Sequence, residues 1–98
     1  MGINFYPVYL ETDDDFASFG VVVPDLPGCV SAGDSVEEAL AMAKEAIEFH
    51  LEGMVDGGEA VPNPRPVTEH LQQKADWFCN PGLWAVVSVN MPELAEAV

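Results

Sequence analysis

Two cysteines and two histidines have side chains of the types that form nucleophile–base pairs and zinc sites: Cys29, His50, His70 and Cys79. A nucleophilic cysteine needs a nearby base and surroundings that lower the pKa of its thiol. His50 falls late in a predicted helix, far along the sequence from Cys29. Zinc sites usually contain ligand pairs about two to five residues apart, and these four residues form no such pair. We therefore predict no catalytic residue and no metal site.

Three consecutive aspartates, Asp13, Asp14 and Asp15, form the densest run of carboxylates. Side chains alternate in an extended loop, so the three cannot all point at one cation. The run also lacks the alternating acids, the glycine and the distal glutamate of an EF-hand loop. We interpret it as the solvated tip of a hairpin. The chain carries no glycine-rich phosphate loop either, and we predict no bound cofactor.

The charge balance is strongly acidic, because 17 Asp and Glu stand against 3 Lys and Arg, for a formal net charge of −14. Such a chain repels the phosphates of nucleic acids, which argues against direct binding to them. It suits a basic partner, which it would attract by electrostatic steering. Composition alone fits equally well with acids that only keep a small protein in solution.

Length and hydropathy predict one cytoplasmic domain. The 98 residues suit a single domain, with residues 92–98 as a short tail. The first residues show neither the basic region nor the apolar run of a signal peptide. No stretch reaches the roughly 18 apolar residues of a membrane span. We therefore expect a protein that does not enter membranes and whose two thiols are reduced.

Four segments carry the β-branched and aromatic residues that are typical of strands. They are "INFYPVYLE", "FGVVVPDL", "CVSAG" and "LWAVVSVNM". Pro7 indicates an edge position or a bulge in the first strand, and Pro24 ends the second. Pro27 and Gly28 predict a type II turn, since proline presets φ and glycine accepts a positive φ. Gly33 ends the third strand.

One long helix follows the third strand. Ser35 and Glu38 form a capping box, after which apolar residues recur at helical spacing. These apolar residues are Val36, Leu40, Ala43, Ile47, Leu51 and Met54. We expect the helix to end near Gly53, and Gly57-Gly58 rules out its continuation. We expect a second, short helix to be capped by Thr68. The order strand, strand, strand, helix, strand predicts an α+β fold, in which the helix covers one face of a small, mostly antiparallel sheet.

The stretch from residue 19 to residue 54 resembles the signature of the HicB-type antitoxins. It contains a strand ending in "PDLPGC", with Asp25 inside the motif, then a "GDS" helix cap and the run "EEALAMAKEAIEFHLE". The segments "YPVYLE" and "GEAVPNP" also fit, and "LWAVVSVNM" is similar to the last strand of that domain. The similarity spans nearly the whole chain, and residues 23–40 are its specific part.

This resemblance implies a partial, ribonuclease-H-like fold without catalysis, and assembly into homodimers or homotetramers. It also implies a partner, a small basic toxin of the HicA type that cleaves RNA and whose active-site histidine the antitoxin covers. Many family members carry a C-terminal DNA-binding module. Only seven residues follow Met91, too few for a ribbon-helix-helix or a helix-turn-helix, so we do not expect this chain to bind DNA directly.

We therefore expect an antitoxin without enzymatic activity that binds and masks a HicA-type toxin. The residues expected to contact the toxin are the acids of the first loop and of the helix: Asp13, Asp14, Asp15, Glu37, Glu45, Glu48 and Glu52. Two alternatives stay open. One is an oligomeric scaffold or binding protein. The other is a residual metal-dependent nuclease, which the ribonuclease-H-like relation suggests and which would use Glu11 and Asp25 at the ends of two strands.

Overall fold

The computed structural model describes residues 3–12, 15–73 and 82–92, and these residues form six elements. They are β1 (Ile3–Thr12), β2 (Phe19–Val22), β3 (Val30–Gly33), α1 (Val36–Asp56), α2 (Val67–Gln73) and β4 (Gly82–Asn90). The strands form one antiparallel sheet in the order β3-β2-β1-β4. The predicted α+β fold, with one main helix against a small antiparallel sheet, is thereby confirmed. Of the predicted tail, residues 93–98 lie outside the described ranges.

Strand β1 lies inside the sheet, but among the described residues its first half has a strand partner on one side only, so the predicted edge position of Pro7 is confirmed. It pairs with β4 along nine positions, from Ile3 opposite Asn90 to Glu11 opposite Gly82. With β2 it pairs only from Tyr9 onward. Pro7 therefore lies in the half of β1 that pairs with β4 alone. A residue without an N–H is tolerated there, because one side of the strand has no strand partner.

The core lies between α1 and one face of the sheet. Alternate residues of β1 face the helix and are fully buried: Tyr6, Val8 and Leu10. Neighbouring strands add Val21, Val87 and Val89 to the same cluster. The fully buried residues of α1 are Ala39, Ala43, Ile47 and Leu51. The predicted apolar face is confirmed: Ala43, Ile47 and Leu51 are buried, and Val36, Leu40 and Met54 are partly buried against the core. Ala39 is also buried there, although it was not predicted.

The second face of the sheet carries an aromatic cluster beside α2. Tyr9 and its register partner Trp84 point to this face, because side chains alternate along a strand. Their rings meet edge to face with centroids 5.3 Å apart. His70 of α2 stacks on Trp84 at 5.8 Å. The two helices thus lie against opposite faces of the sheet. Neither helix, over the residues described, is long and apolar enough to cross a membrane.

The link between β2 and β3 contains the predicted turn. The Cys29 amide donates to the carbonyl of Leu26 at 2.9 Å, which closes a four-residue turn around Pro27 and Gly28. Gly28 has a φ of 86°, as the second central position of a type II turn requires. Pro24 lies just after β2, where it was predicted to end the strand.

Helix α1 begins at the predicted cap. The Ser35 hydroxyl accepts from the Glu38 amide at 3.1 Å, while the Glu38 carboxylate accepts from the Asp34 amide at 2.7 Å. This second bond reaches one residue before the cap, instead of the cap amide of a standard capping box. The helix runs past the predicted end near Gly53 to Asp56, and it stops at Gly57, where continuation was predicted to be ruled out.

The prediction of a cap at Thr68 is also wrong. Helix α2 already begins at Val67, and the carbonyl of Pro66 accepts from the amides of Glu69 and His70. Proline supplies this carbonyl at a position where its missing N–H costs no helical hydrogen bond. Thr68 therefore lies inside the first turn.

Gly33 packs against the first turn of α1, and a side chain there should destabilise the protein. A Cβ added at Gly33 would lie 2.5 Å from the Ala39 nitrogen and 2.7 Å from its Cα. Both are backbone atoms of a buried turn, so the helix would have to shift. We expect Gly33→Ala to lower the free energy of unfolding by about 1–3 kcal/mol. Gly20→Ala is the control, since nothing lies within 4 Å of its added Cβ. Equal urea midpoints for the two variants would contradict this packing.

Candidate functional site

Acidic side chains line the side of α1 that faces away from the sheet. Glu38, Glu45 and Glu52 recur every seven residues, so they form one line along the helix. Glu45 and Glu52 are exposed. In the described part of the chain neither has a hydrogen-bond or ion-pair partner. These two predicted site residues are therefore available for contact with another molecule.

Glu48, another predicted site residue, is already engaged within the protein. Its carboxylate pairs with Lys44 and accepts from the Asn90 amide at 2.8 Å and from the Asn90 side chain at 3.2 Å. Partial burial alone would raise the pKa of Glu48, but the hydrogen bonds from Lys44 and Asn90 outweigh it and hold the pKa below its usual range. Glu48 thus ties α1 to the end of β4. Glu37 is exposed in the first turn of the helix.

The acidic loop is only partly described. Asp13 and Asp14 lie outside the described residues, so their predicted role stays a prediction. Asp15 is exposed, and Phe16 beside it has a positive φ of 54° and a side chain that is 67% exposed. An exposed phenylalanine at this position gives the loop an apolar group beside its acids.

The two cations of the described residues are both paired with carboxylates. Lys44 binds Glu48, and Arg65 binds Asp25 and Glu69. The sequence contains 3 Lys and Arg against 17 Asp and Glu. The described cations therefore do not neutralise the acids on the outer side of α1. These acids give that side of the helix a negative potential that faces solvent.

Asp25 is the centre of a buried polar cluster that joins three parts of the chain. It is 7% exposed, and its Oδ1 accepts from the Arg65 Nε at 2.9 Å. Its Oδ2 accepts from the Arg65 backbone amide at 3.1 Å and lies 3.1 Å from Nε2 of His70. The Tyr6 hydroxyl adds a further tie, donating to the carbonyl of Pro62 at 2.9 Å. Together these bonds fasten residues 57–66 and α2 to the turn after β2.

The cluster supports structure and offers no route to catalysis. A carboxylate that orients a histidine is also part of a hydrolytic triad, but such a histidine must reach a nucleophile and a substrate. The His70 side chain is 2% exposed and lies between Asp25 and Trp84. Cys29 makes no hydrogen bond to it. Both oxygens of Asp25 already have partners, so this carboxylate is not open to a metal ion.

Sequence analysis placed Asp25 within a motif but missed both of its partners. Arg65 is 40 residues away and His70 is 45 residues away, and neither spacing follows a local pattern. The only signal was an acid inside an apolar turn, where a buried carboxylate needs a partner.

Cys29 lies in the core at 4% exposure. Burial raises the pKa of its thiol, which lowers the fraction of reactive thiolate. Cys79 lies outside the described residues. No group of three or more histidines, cysteines or acids converges within the described ranges in a way that could hold a metal ion.

Comparison with known proteins gives concordant matches. The family model for the HicB-like antitoxin of bacterial toxin–antitoxin systems matches residues 6–98. An uncharacterised 14.9 kDa protein of Haemophilus phage HP1 is 46% identical over 68 residues, which are 69% of this chain and 50% of that protein. Antitoxin HicB 1 of Photorhabdus laumondii is 40% identical over 62 residues, which are 63% of this chain and 39% of that antitoxin. The matched part thus makes up half or less of these two relatives.

The fold is shared with a solved structure. The crystal structure of the Burkholderia pseudomallei antitoxin HicB superposes with a TM-score of 0.73 at 32% identity. The match covers 88% of this chain and 63% of that one. Sequence and fold therefore point to the same group of proteins.

The Asp25 cluster should be essential for stability. We expect Asp25→Ala to lower the free energy of unfolding by at least about 2 kcal/mol, because it leaves the buried His70 and the Arg65 amide without their acceptor. Asp56→Ala, which removes an exposed acid at the helix end, should change it by less than about 0.5 kcal/mol. Urea unfolding measures both. Equal stability of the two variants would show that the cluster contributes nothing.

Burial should protect Cys29 from thiol reagents. In a Cys79→Ser background we expect the native protein to react with Ellman's reagent at least about 100-fold more slowly than the protein in denaturant. The reason is that the raised pKa and the lack of access both act against the thiolate. Labelling at the denatured rate under native conditions would place Cys29 outside the core.

Proposed function

The chain belongs to the HicB-like antitoxin family, and we propose that it neutralises a small, basic, RNA-cleaving toxin of the HicA type by covering the toxin's active site. The identification of this family from the residues alone is confirmed. The proposed partner and the mode of inhibition rest on the family and on the charge of this chain. Because the toxin would act on RNA, we place the encounter in the cytoplasm.

The observation that carries the proposal is the uncompensated acidic side of α1. Glu45 and Glu52 are exposed there without partners in the described part of the chain. A net charge of −14 attracts a basic protein and raises its rate of association. Inhibition by occlusion needs only binding, so a protein without catalytic groups of its own can perform it.

The alternatives lack comparable support. A residual metal-dependent nuclease would use Glu11 and Asp25, but Arg65 and His70 already occupy the oxygens of Asp25. Assembly into homodimers or homotetramers follows from the family resemblance and stays a prediction that sedimentation equilibrium tests. A scaffold role without a toxin has no observation in its favour.

Neutralisation should be stoichiometric and should depend on the acidic side of α1. We expect this protein to abolish RNA cleavage by its HicA-type toxin, with an endpoint at equimolar chains. Glu45→Gln combined with Glu52→Gln should slow association by about tenfold at low salt. Stopped-flow mixing measures the association rate, and a gel assay of RNA cleavage measures the endpoint.

A matched control keeps the net charge equal. Ala32→Lys combined with Gln72→Lys makes the net charge less negative by two, as the loss of two glutamates does, but at exposed positions outside α1. If it slows association as much as the glutamine variant, net charge and not the acidic side of the helix governs the encounter. If the unaltered protein leaves RNA cleavage intact at molar excess, the proposed function is wrong.

A further inference from the structure

Helix α1 carries a second apolar stripe on the side turned away from the core. The stripe consists of Met42, Ala46, Phe49 and Gly53, at spacings of four, three and four residues. Phe49 is 79% exposed and Met42 is 42% exposed. At 3.6 residues per turn, the stripe lies roughly 130° around the helix from the buried Ile47. Ala46 also packs against the edge of the core, but the core does not account for the exposed Met42 and Phe49.

Acids run along one edge of this stripe. Glu38, Glu45 and Glu52 are seven residues apart, and Asp56 continues the same side. Apolar residues at spacings of four and three, flanked by charges every seven residues, form the pattern by which two helices pack side by side. Ala46 and Gly53 have little or no side chain, so a second helix can approach closely. The pattern indicates a surface suited to another helix.

A groove extends the stripe at its C-terminal end. It has a volume of about 550 Å³ and lies between α1, the turn at Leu26 and Pro27, and the segment at Pro62. Its other side chains include an aromatic ring, an imidazole and an acid, from Phe49, His50 and Glu59. A groove with both apolar and polar walls can hold a long apolar or aliphatic-basic side chain beside the docked helix.

We propose that the stripe and groove form the docking surface for a basic amphipathic helix of the toxin. This inference rests on the proposed function and assigns the contact surface within it. Apolar side chains of the partner helix would pack on Met42 and Phe49, and its lysines or arginines would face Glu45 and Glu52. Phe49 is the anchor, because a large aromatic side chain dominates such contacts when a partner covers it.

The charge of the stripe's surroundings favours a toxin, and not a second copy of this chain, as the molecule that docks on it. Two copies packed through this stripe would bring their rows of glutamates together in proteins that each carry a net charge of −14. Like charges across a contact destabilise it, whereas a basic helix neutralises the same row. The surface therefore selects a partner of opposite charge.

The test compares two exposed phenylalanines on opposite faces of the molecule. Phe49→Ala should raise the Kd for the toxin, used as a variant lacking its active-site histidine, by at least about 30-fold. Phe5→Ala is the matched control, because Phe5 is 61% exposed on the face of the sheet away from α1. It should change the Kd by less than about threefold. Isothermal titration calorimetry measures the Kd, and circular dichroism checks that both variants remain folded.

The outcomes separate this surface from the proposed function. If the unaltered protein binds the toxin and Phe49→Ala binds equally well, the stripe is not the docking surface while the proposed function stands. If the unaltered protein does not bind the toxin, both are overturned. Sedimentation of the free protein tests whether a second copy of this chain covers the stripe instead. A loss of dimer mass in Phe49→Ala alone would show that a second copy covers the stripe, which contradicts the inference.

Discussion

The buried carboxylate of Asp25 is the constraint on which the rest of the arrangement depends. The chain leaves α1 on one face of the sheet and reaches the other face through a proline-rich segment without secondary structure. Such a segment cannot hold itself in place, since it forms no ladder of hydrogen bonds. Asp25 fastens its end through Arg65 and fastens α2 through His70. The position of α2 over Trp84 and one wall of the groove beside Phe49 both follow from this anchoring.

The distribution of charge in the protein follows the same logic. Arg65 serves the buried cluster, and Lys44 serves the link between α1 and β4 through Glu48. Using these cations for internal ties leaves the outer acids of α1 unneutralised. A surface of one sign associates faster with a partner of the opposite sign, so this internal use of the cations leaves the outer side of α1 suited to the basic partner proposed above.

Sequence reasoning succeeded where the determinants are local. The turn at Gly28 and the cap at Ser35 depend on neighbours within four residues, and both were predicted. The helix end was missed because Gly53 faces outward, where its lack of a side chain costs only about 1 kcal/mol and does not stop the helix. The exposed Phe49 was overlooked because the acids around it dominated the interpretation of that side. The partners of Asp25 were missed because only the folded chain brings residues 40 and 45 positions apart together.

The pairing of β1 with β4 sets the order in which the protein can fold. The first strand finds its longest partner in the last, with Ile3 opposite Asn90. During synthesis β1, β2, β3 and α1 leave the ribosome well before β4 does. Until then the apolar flank of β1 has no strand beside it, and Val87 and Val89 are missing from the core. Contacts so distant in sequence form late, so we expect the sheet to stay incomplete until β4 is available to pair with β1.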